Sequence, residues 1–361
     1  MGGEPRPDRA GRPDGPRAGR DGRGGGAPPS DGRESDRAAV RRVLLPSPRS
    51  FCAGVERAIE IVERLLEQHG PPVYVRNQIV HNAHVVAGLE AKGAVFVSEL
   101  DEVPEHALVV FSAHGVAPAV EAEAARRGLD AVDATCPLVA KVHAEAKRAA
   151  DAGDTVILIG HDGHEEVAGT LGVAPGRTVL VETVEGVAEV RVADREKVTY
   201  LSQTTLSVSE VEEIAAALRA RFPNIRGQGA EDICYATSNR QAAVAAVVDE
   251  ADLVLVVGSA NSSNSNRLVE LAAAAGVEAH LIEDAAAIDP AWLDAAGTVA
   301  VTAGASAPPV LVDEVVAAIA AAGPIEVVER RVADEPQEFL LPQRLRTHDA
   351  PAPSGRTRPP R

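Results

Sequence analysis

The chain predicts an α/β fold in which parallel-type sheets are covered by helices. Short runs rich in Val, Ile and Leu alternate with Ala-rich stretches of helical length, which is the grammar of β-α-β units. Three cysteines, Cys52, Cys136 and Cys234, lie 84 and 98 residues apart. Each sits in a short polar or Gly-containing segment that reads as the turn from a strand into a helix. A weak repeat of element order, with a period near 90 residues, accompanies them. Three similar units meeting at a shared centre follow from this spacing.

The elements can be read in order. Strands are expected at 41–46, 72–75, 107–113, 131–134, 155–160, 198–202, 252–258, 278–283 and 297–304, where β-branched and aliphatic residues run together. Helices are expected at 54–69, 81–92, 118–127, 137–152, 207–221, 239–248, 265–275 and 309–322, which are rich in Ala, Glu and Leu. The division is a disordered arm at 1–40, α/β units at 41–136, 137–232 and 233–330, and a C-terminal extension at 331–361, largely disordered from about 342. The arms are Gly, Pro, Arg and Asp rich and lack large apolar residues.

Composition narrows the function. The net charge is −17, and the arms carry +1 (1–40) and +4 (341–361), so the body at 41–340 is near −22. A body this acidic repels nucleic acid and anionic membranes. No apolar run approaches the ~20 residues of a membrane span, and no secretory signal is visible at the N-terminus. A cytoplasmic protein with reduced thiols is expected.

Aromatic residues make up only 2% of the chain, so the core must be built from Ala, Val, Leu and Ile. An anionic ligand would need a local pocket of His, hydroxyl and backbone N–H groups.

The odd cysteine count argues against a pure disulfide framework. Three inert core thiols remain one reading, since free Cys is often buried. A structural zinc site normally takes a fourth protein ligand, and none is obvious. Three thiolates that leave one coordination position open suit an iron–sulfur cluster that works on a substrate. His81, His114, His161 and His164 stand at or just after three strand ends, where imidazoles can bind phosphate and pass protons.

His161, His164 and Glu166 form an H-x-x-H-x-E pattern that leaves a mononuclear metal open, although the segment reads as strand and loop. Glu166 is also a candidate proton donor. The run Ser262, Ser263, Asn264, Ser265, Asn266 exceeds what helix capping requires and reads as an anion site at a helix start. The rival functions are an electron carrier or sensor, a zinc hydrolase acting through the H-x-x-H-x-E residues, and a structural scaffold.

Nine segments in one order, from about 42 to about 330, resemble the 4-hydroxy-3-methylbut-2-enyl diphosphate reductase (LytB) family. They are FCAGVERA (51–58), VHNAHVV (80–86), SAHGV (112–116), DATCPLVAKVH (133–143), GHDGHEEVAGT (160–170), SQTTLSV (202–208), DICYATSNRQ (232–241), GSANSSNSNRL (258–268) and TAGASAP (302–308). The resemblance implies a trefoil of three units around one [4Fe–4S] cluster per chain, held by Cys52, Cys136 and Cys234. The remaining iron would serve the substrate's allylic hydroxyl.

The resemblance further implies that His81, His114, His164, Ser262, Ser263, Asn264 and Ser306 bind the diphosphate. Thr204 would lie near the hydroxyl, and Glu166, with Thr204 and His164, would carry the proton relay. The implied partners are an allylic diphosphate and a donor such as ferredoxin or flavodoxin, with the chain a monomer. Two positions depart from the family pattern: Ser50, where Gly is usual, and Ser238, where Gln is usual.

Overall fold

The computed structural model describes residues 40–227 and 229–346. The expected arm at 1–40 lies outside them except for its last residue, as does the tail beyond 346. The chain opens with β1 (Arg41–Ser47), α1 (Ala53–His69), β2 (Val73–Arg76), α2 (Ala83–Ala91), β3 (Ala94–Val97), β4 (Leu108–Phe111), α3 (Pro118–Arg126) and β5 (Asp130–Asp133). It continues with α4 (Pro137–Asp151), β6 (Thr155–Ile159), α5 (Glu165–Val173), β7 (Thr178–Val181), β8 (Val198–Ser202) and α6 (Val208–Arg221). Then come α7 (Tyr235–Ala245), β9 (Leu253–Val257), α8 (Ser263–Ala274), β10 (Glu278–Ile282), α9 (Pro290–Ala295), β11 (Thr298–Ala303), α10 (Pro309–Ala322), β12 (Ile325–Arg331) and α11 (Gln343–Arg346).

Three sheets result, with orders β3-β2-β4-β5, β7-β6-β8 and β10-β9-β11-β1-β12. All their strand pairs are parallel. The third sheet shows why its interior strand β9 is uniformly apolar. Leu253, Leu255 and Val257 of β9 face one core with α10, while Val254 and Val256 face a second core with α8. A strand covered on both faces has no polar side to alternate.

All nine expected strands are present. β1, grouped with the first unit by chain order, is hydrogen-bonded between β11 and β12 in the third sheet. The expectation missed β3, β7 and β12, each at one edge of its sheet, while the opposite edges β5, β8 and β10 were expected. β12 is half-solvated and its apolar signal is weak, since it reads IEVVERR. It also missed α5, whose nine residues include two glycines, and α9.

α7 starts at Tyr235, four residues before its expected start. The segment before Cys234 is a 3₁₀ turn at Gly229–Asp232 and not a strand. The chain also stays folded past the expected limit near 342, because Leu345 of α11 is buried in the core beneath α1.

Candidate active site

Each cysteine caps a helix. Cys52, Cys136 and Cys234 are the N-cap residues of α1, α4 and α7. At α7 the Thr237 N–H also donates to Cys234 Sγ, 3.3 Å away. Unpaired N–H groups and the helix dipole favour negative charge there. Burial acts the other way. It pushes Cys136 up to about 11 and Cys234 up to about 12, and raises Cys52 against the nearby Arg240 charge.

Such thiols keep their protons unless a cation binds, so the donor set suits a positively charged metal centre. Space is held open beside the sulfurs. A Cβ on Gly54 would stand 2.8 Å from Cys136 Sγ and 3.8 Å from Cys52 Sγ. All three cysteines line the same cavity.

The loop carrying Cys52 is tied to α7. Arg240 is fully buried and gives its Nε and Nη2 to Ser50 O at 3.1 and 2.5 Å, with Nη2 also reaching Phe51 O at 3.1 Å. Its Nη1 pairs with Glu335 at 3.0 Å. Ser50 has φ 65°, a left-handed conformation that glycine adopts most readily.

The sulfurs share one cavity with the other expected residues. That cavity is lined by Cys52, Cys136, Cys234, His81, His114, His164, Glu166, Thr204, Ser262, Ser263, Asn264 and Ser306. No Lys or Arg lines it among the described residues.

The histidines come from three strand ends and meet. His81 stacks on His114 at 3.9 Å, and His164 stands edge-on to them at 5.3 and 5.8 Å. Burial, reinforced by the neighbouring imidazoles, lowers His81 to about 3 and His164 to about 4. His164 Nδ1 accepts the Glu166 N–H at 3.2 Å as the cap of α5. Its neutral ring therefore carries its proton on Nε2.

Glu166 is almost wholly buried. Its carboxylate accepts the Thr204 N–H at 2.7 Å and the Thr204 hydroxyl at 2.9 Å. Burial raises its affinity for a proton, and those two bonds with the His114 charge only partly oppose it. A buried acid with raised pKa, joined to one hydroxyl, is equipped to deliver a proton.

The Ser–Asn run divides its work. Ser262 caps α8 and Ser263 takes the Thr205 hydroxyl at 3.1 Å. Asn264 accepts the Ala305 N–H at 2.8 Å, and Ser306 donates to His81 O at 2.9 Å. Ser265 and Asn266 are structural. A Cβ on Gly258 or Gly304 would collide with the Ser265 hydroxyl, and Asn266 bonds Ala260 O at 2.8 Å.

His161 does not join His164. It turns to Glu210 of α6 at 3.0 Å, so the H-x-x-H-x-E residues do not converge. Thr205, Thr237, Tyr235 and Phe339 also line the cavity and were not singled out from the sequence. Thr205 stands beside Thr204 in a hydroxyl-rich loop, a usable signal. Phe339 lies in the C-terminal extension, where nothing in the sequence marks it.

The family profile described as LytB protein matches residues 43–320. The chain belongs to the LytB family. It is 58% identical over 308 residues to the 4-hydroxy-3-methylbut-2-enyl diphosphate reductase of Mycolicibacterium paratuberculosis, covering 85% of this chain and 93% of that one. It is 56% identical over 308 residues to the same-named protein of Bordetella bronchiseptica, covering 85% and 94%. A solved structure of the E-1-hydroxy-2-methyl-but-2-enyl-4-diphosphate reductase from Plasmodium falciparum superposes with TM-score 0.81 at 35% identity, covering 86% of this LytB chain and 98% of that one. No helix among the described residues of the LytB chain is long and apolar enough to cross a membrane.

Proposed function

We propose that this LytB protein is a 4-hydroxy-3-methylbut-2-enyl diphosphate reductase that forms isopentenyl and dimethylallyl diphosphate. In this last step of the methylerythritol phosphate isoprenoid route, the allylic C–O bond breaks. Two electrons and two protons enter, one proton leaving with the hydroxyl as water and one adding to carbon. The observation that carries the reading is a single cavity lined by three helix-capping thiols, three imidazoles and the Glu166–Thr204 pair.

Cys52, Cys136 and Cys234 would hold one [4Fe–4S] cluster, which supplies electrons and a Lewis-acidic iron when bound. The three α/β units would then form a trefoil around it. The chain's own groups do the rest. His81, His114, His164, Ser262, Ser263, Asn264 and Ser306 hold the diphosphate and so fix the carbon skeleton. Protonated Glu166 gives its proton to Thr204 Oγ1, whose own hydrogen passes to the departing oxygen. His164 stands at the start of the same helix, with its Nε2–H free for the substrate. A cytoplasmic monomer served by an external ferredoxin or flavodoxin completes the proposal.

Anaerobic loading with iron and sulfide, followed by substrate and a chemical reductant, tests it. Both isomeric products should form; a colourless protein without turnover would defeat the reading.

The imidazoles make a separate prediction. His81 and His164, held at about 3 and about 4, are neutral at pH 7 in the free chain. An arriving anion favours their charged forms, so binding takes up protons. Affinity then falls as pH rises toward the bound-state values, by up to tenfold per unit for each proton. Calorimetry of pyrophosphate binding near pH 5.5, in buffers of different ionisation enthalpy, should show net proton uptake. Proton release would contradict it.

A further inference from the structure

Three consecutive side chains at the start of α5 diverge. His164 joins the imidazole trio, Glu166 turns to Thr204, and Glu165 reaches across to the loops that follow β2 and β4. Glu165 Oε2 lies 3.3 Å from His114 Nδ1 and accepts the Ser112 hydroxyl at 3.3 Å. The Asn77 side chain bonds the same carboxylate. Burial would push this carboxyl up, but the His114 bond and charge, with His81 and Asn77, hold it below the ordinary range. Glu165 is therefore an ionised group behind the ring of His114.

A bare carboxylate so close to an anion site would repel the anion. Its effect reverses when an imidazole stands between the two charges. The carboxylate fixes the ring and its tautomer, and it balances the charge of a ring protonated on both nitrogens. The titratable groups facing His114 are His81 on its face, His164 on its edge, Glu165 at Nδ1 and, through space, Glu166.

We propose that Glu165 is a positioning residue that holds His114 by its Nδ1–H, so that Nε2 meets a diphosphate oxygen as a donor. This rests on reading the trio as the diphosphate subsite. His81, His114 and Glu165 also bring ligand-type atoms within 4.8 Å of one another. The two rings are only 18° from parallel at 3.9 Å. Planes so nearly parallel do not meet at one nearby ion, which favours the anion reading.

The test uses the full chain with ¹⁵N-labelled histidine and pyrophosphate in chelator-treated buffer. In Glu165→Gln, pyrophosphate should bind at least ~tenfold more weakly. The His114 nitrogen shifts should lose the signature of a ring protonated at both positions in the complex. With allylic diphosphate, KM should rise more than kcat falls, whereas a merely structural defect would lower kcat and Tm together. If Gln unsettles α5, Glu165→Asp, which keeps the charge, should retain the His114 signature with intermediate affinity.

Equal or tighter pyrophosphate binding in Glu165→Gln, or unchanged His114 shifts, would overturn the assignment. If pyrophosphate fails to move the His81, His114 and His164 signals of the natural chain, the diphosphate reading falls as well.

Discussion

Cys136→Ser is expected to abolish turnover, by at least ~10³-fold, and to leave the anaerobically loaded protein short of iron and sulfide. The thiolate is the soft ligand that an iron–sulfur group requires, and a serine oxygen does not replace it. The position is also unforgiving. Cys136 Sγ borders the notch kept open by Gly54, and it stands at the N-terminus of α4. The fold should survive, because serine is a good N-cap and α4 keeps Pro137 at its first position. Metal-free Cys136→Ser should therefore melt within a few degrees of the parent, which separates loss of a ligand from loss of structure. Normal iron and sulfide content in this variant would remove Cys136 from the ligand set, and the same test applies to Cys52 and Cys234.

Glu166→Gln should reduce turnover by ~10²–10⁴-fold, the usual contribution of a positioned acid. Its iron content and its affinity for pyrophosphate should stay near normal. Glutamine is nearly isosteric and its carbonyl can still accept the Thr204 N–H, so the loop after β8 keeps its place. What it lacks is a proton to release. The carboxyl of Glu166 is suited to hold one, since burial raises its pKa while its hydrogen bonds and the His114 charge pull the other way. If turnover persisted, the proton would have to come from elsewhere, and the Thr204 hydroxyl would lose its source.

Much of the site was legible because chemistry-bearing residues stand out against an aliphatic background. Cys52, Cys136 and Cys234 are the only cysteines in the chain, and each begins a helix. His81, His114 and His164 follow strands, and in parallel sheets strand ends share one side. Glu165 was passed over because a carboxylate in the first turn of a helix is ordinary by itself. Only its approach to His114 gives it meaning. Arg240 and Glu335 were invisible for a similar reason: arginine and glutamate are usually solvated, and nothing local tells that one arginine is fully buried.

Secondary structure followed the same division. The buried strand β9 is uniformly apolar and was readable, whereas β12, with charged residues through its IEVVERR, was not.

Local composition by itself determined the α/β class, the turns that carry the cysteines and the residue types of the site, because propensity and hydrophobic pattern act over neighbouring residues. The tertiary structure alone decided that β1 pairs beside β12, and that His161 turns to Glu210 while His164 turns inward. It also decided that the chain after β12 returns to bury Leu345 under α1. These are contacts between segments far apart in the chain, and their energies come from shape and burial that no short window of residues contains.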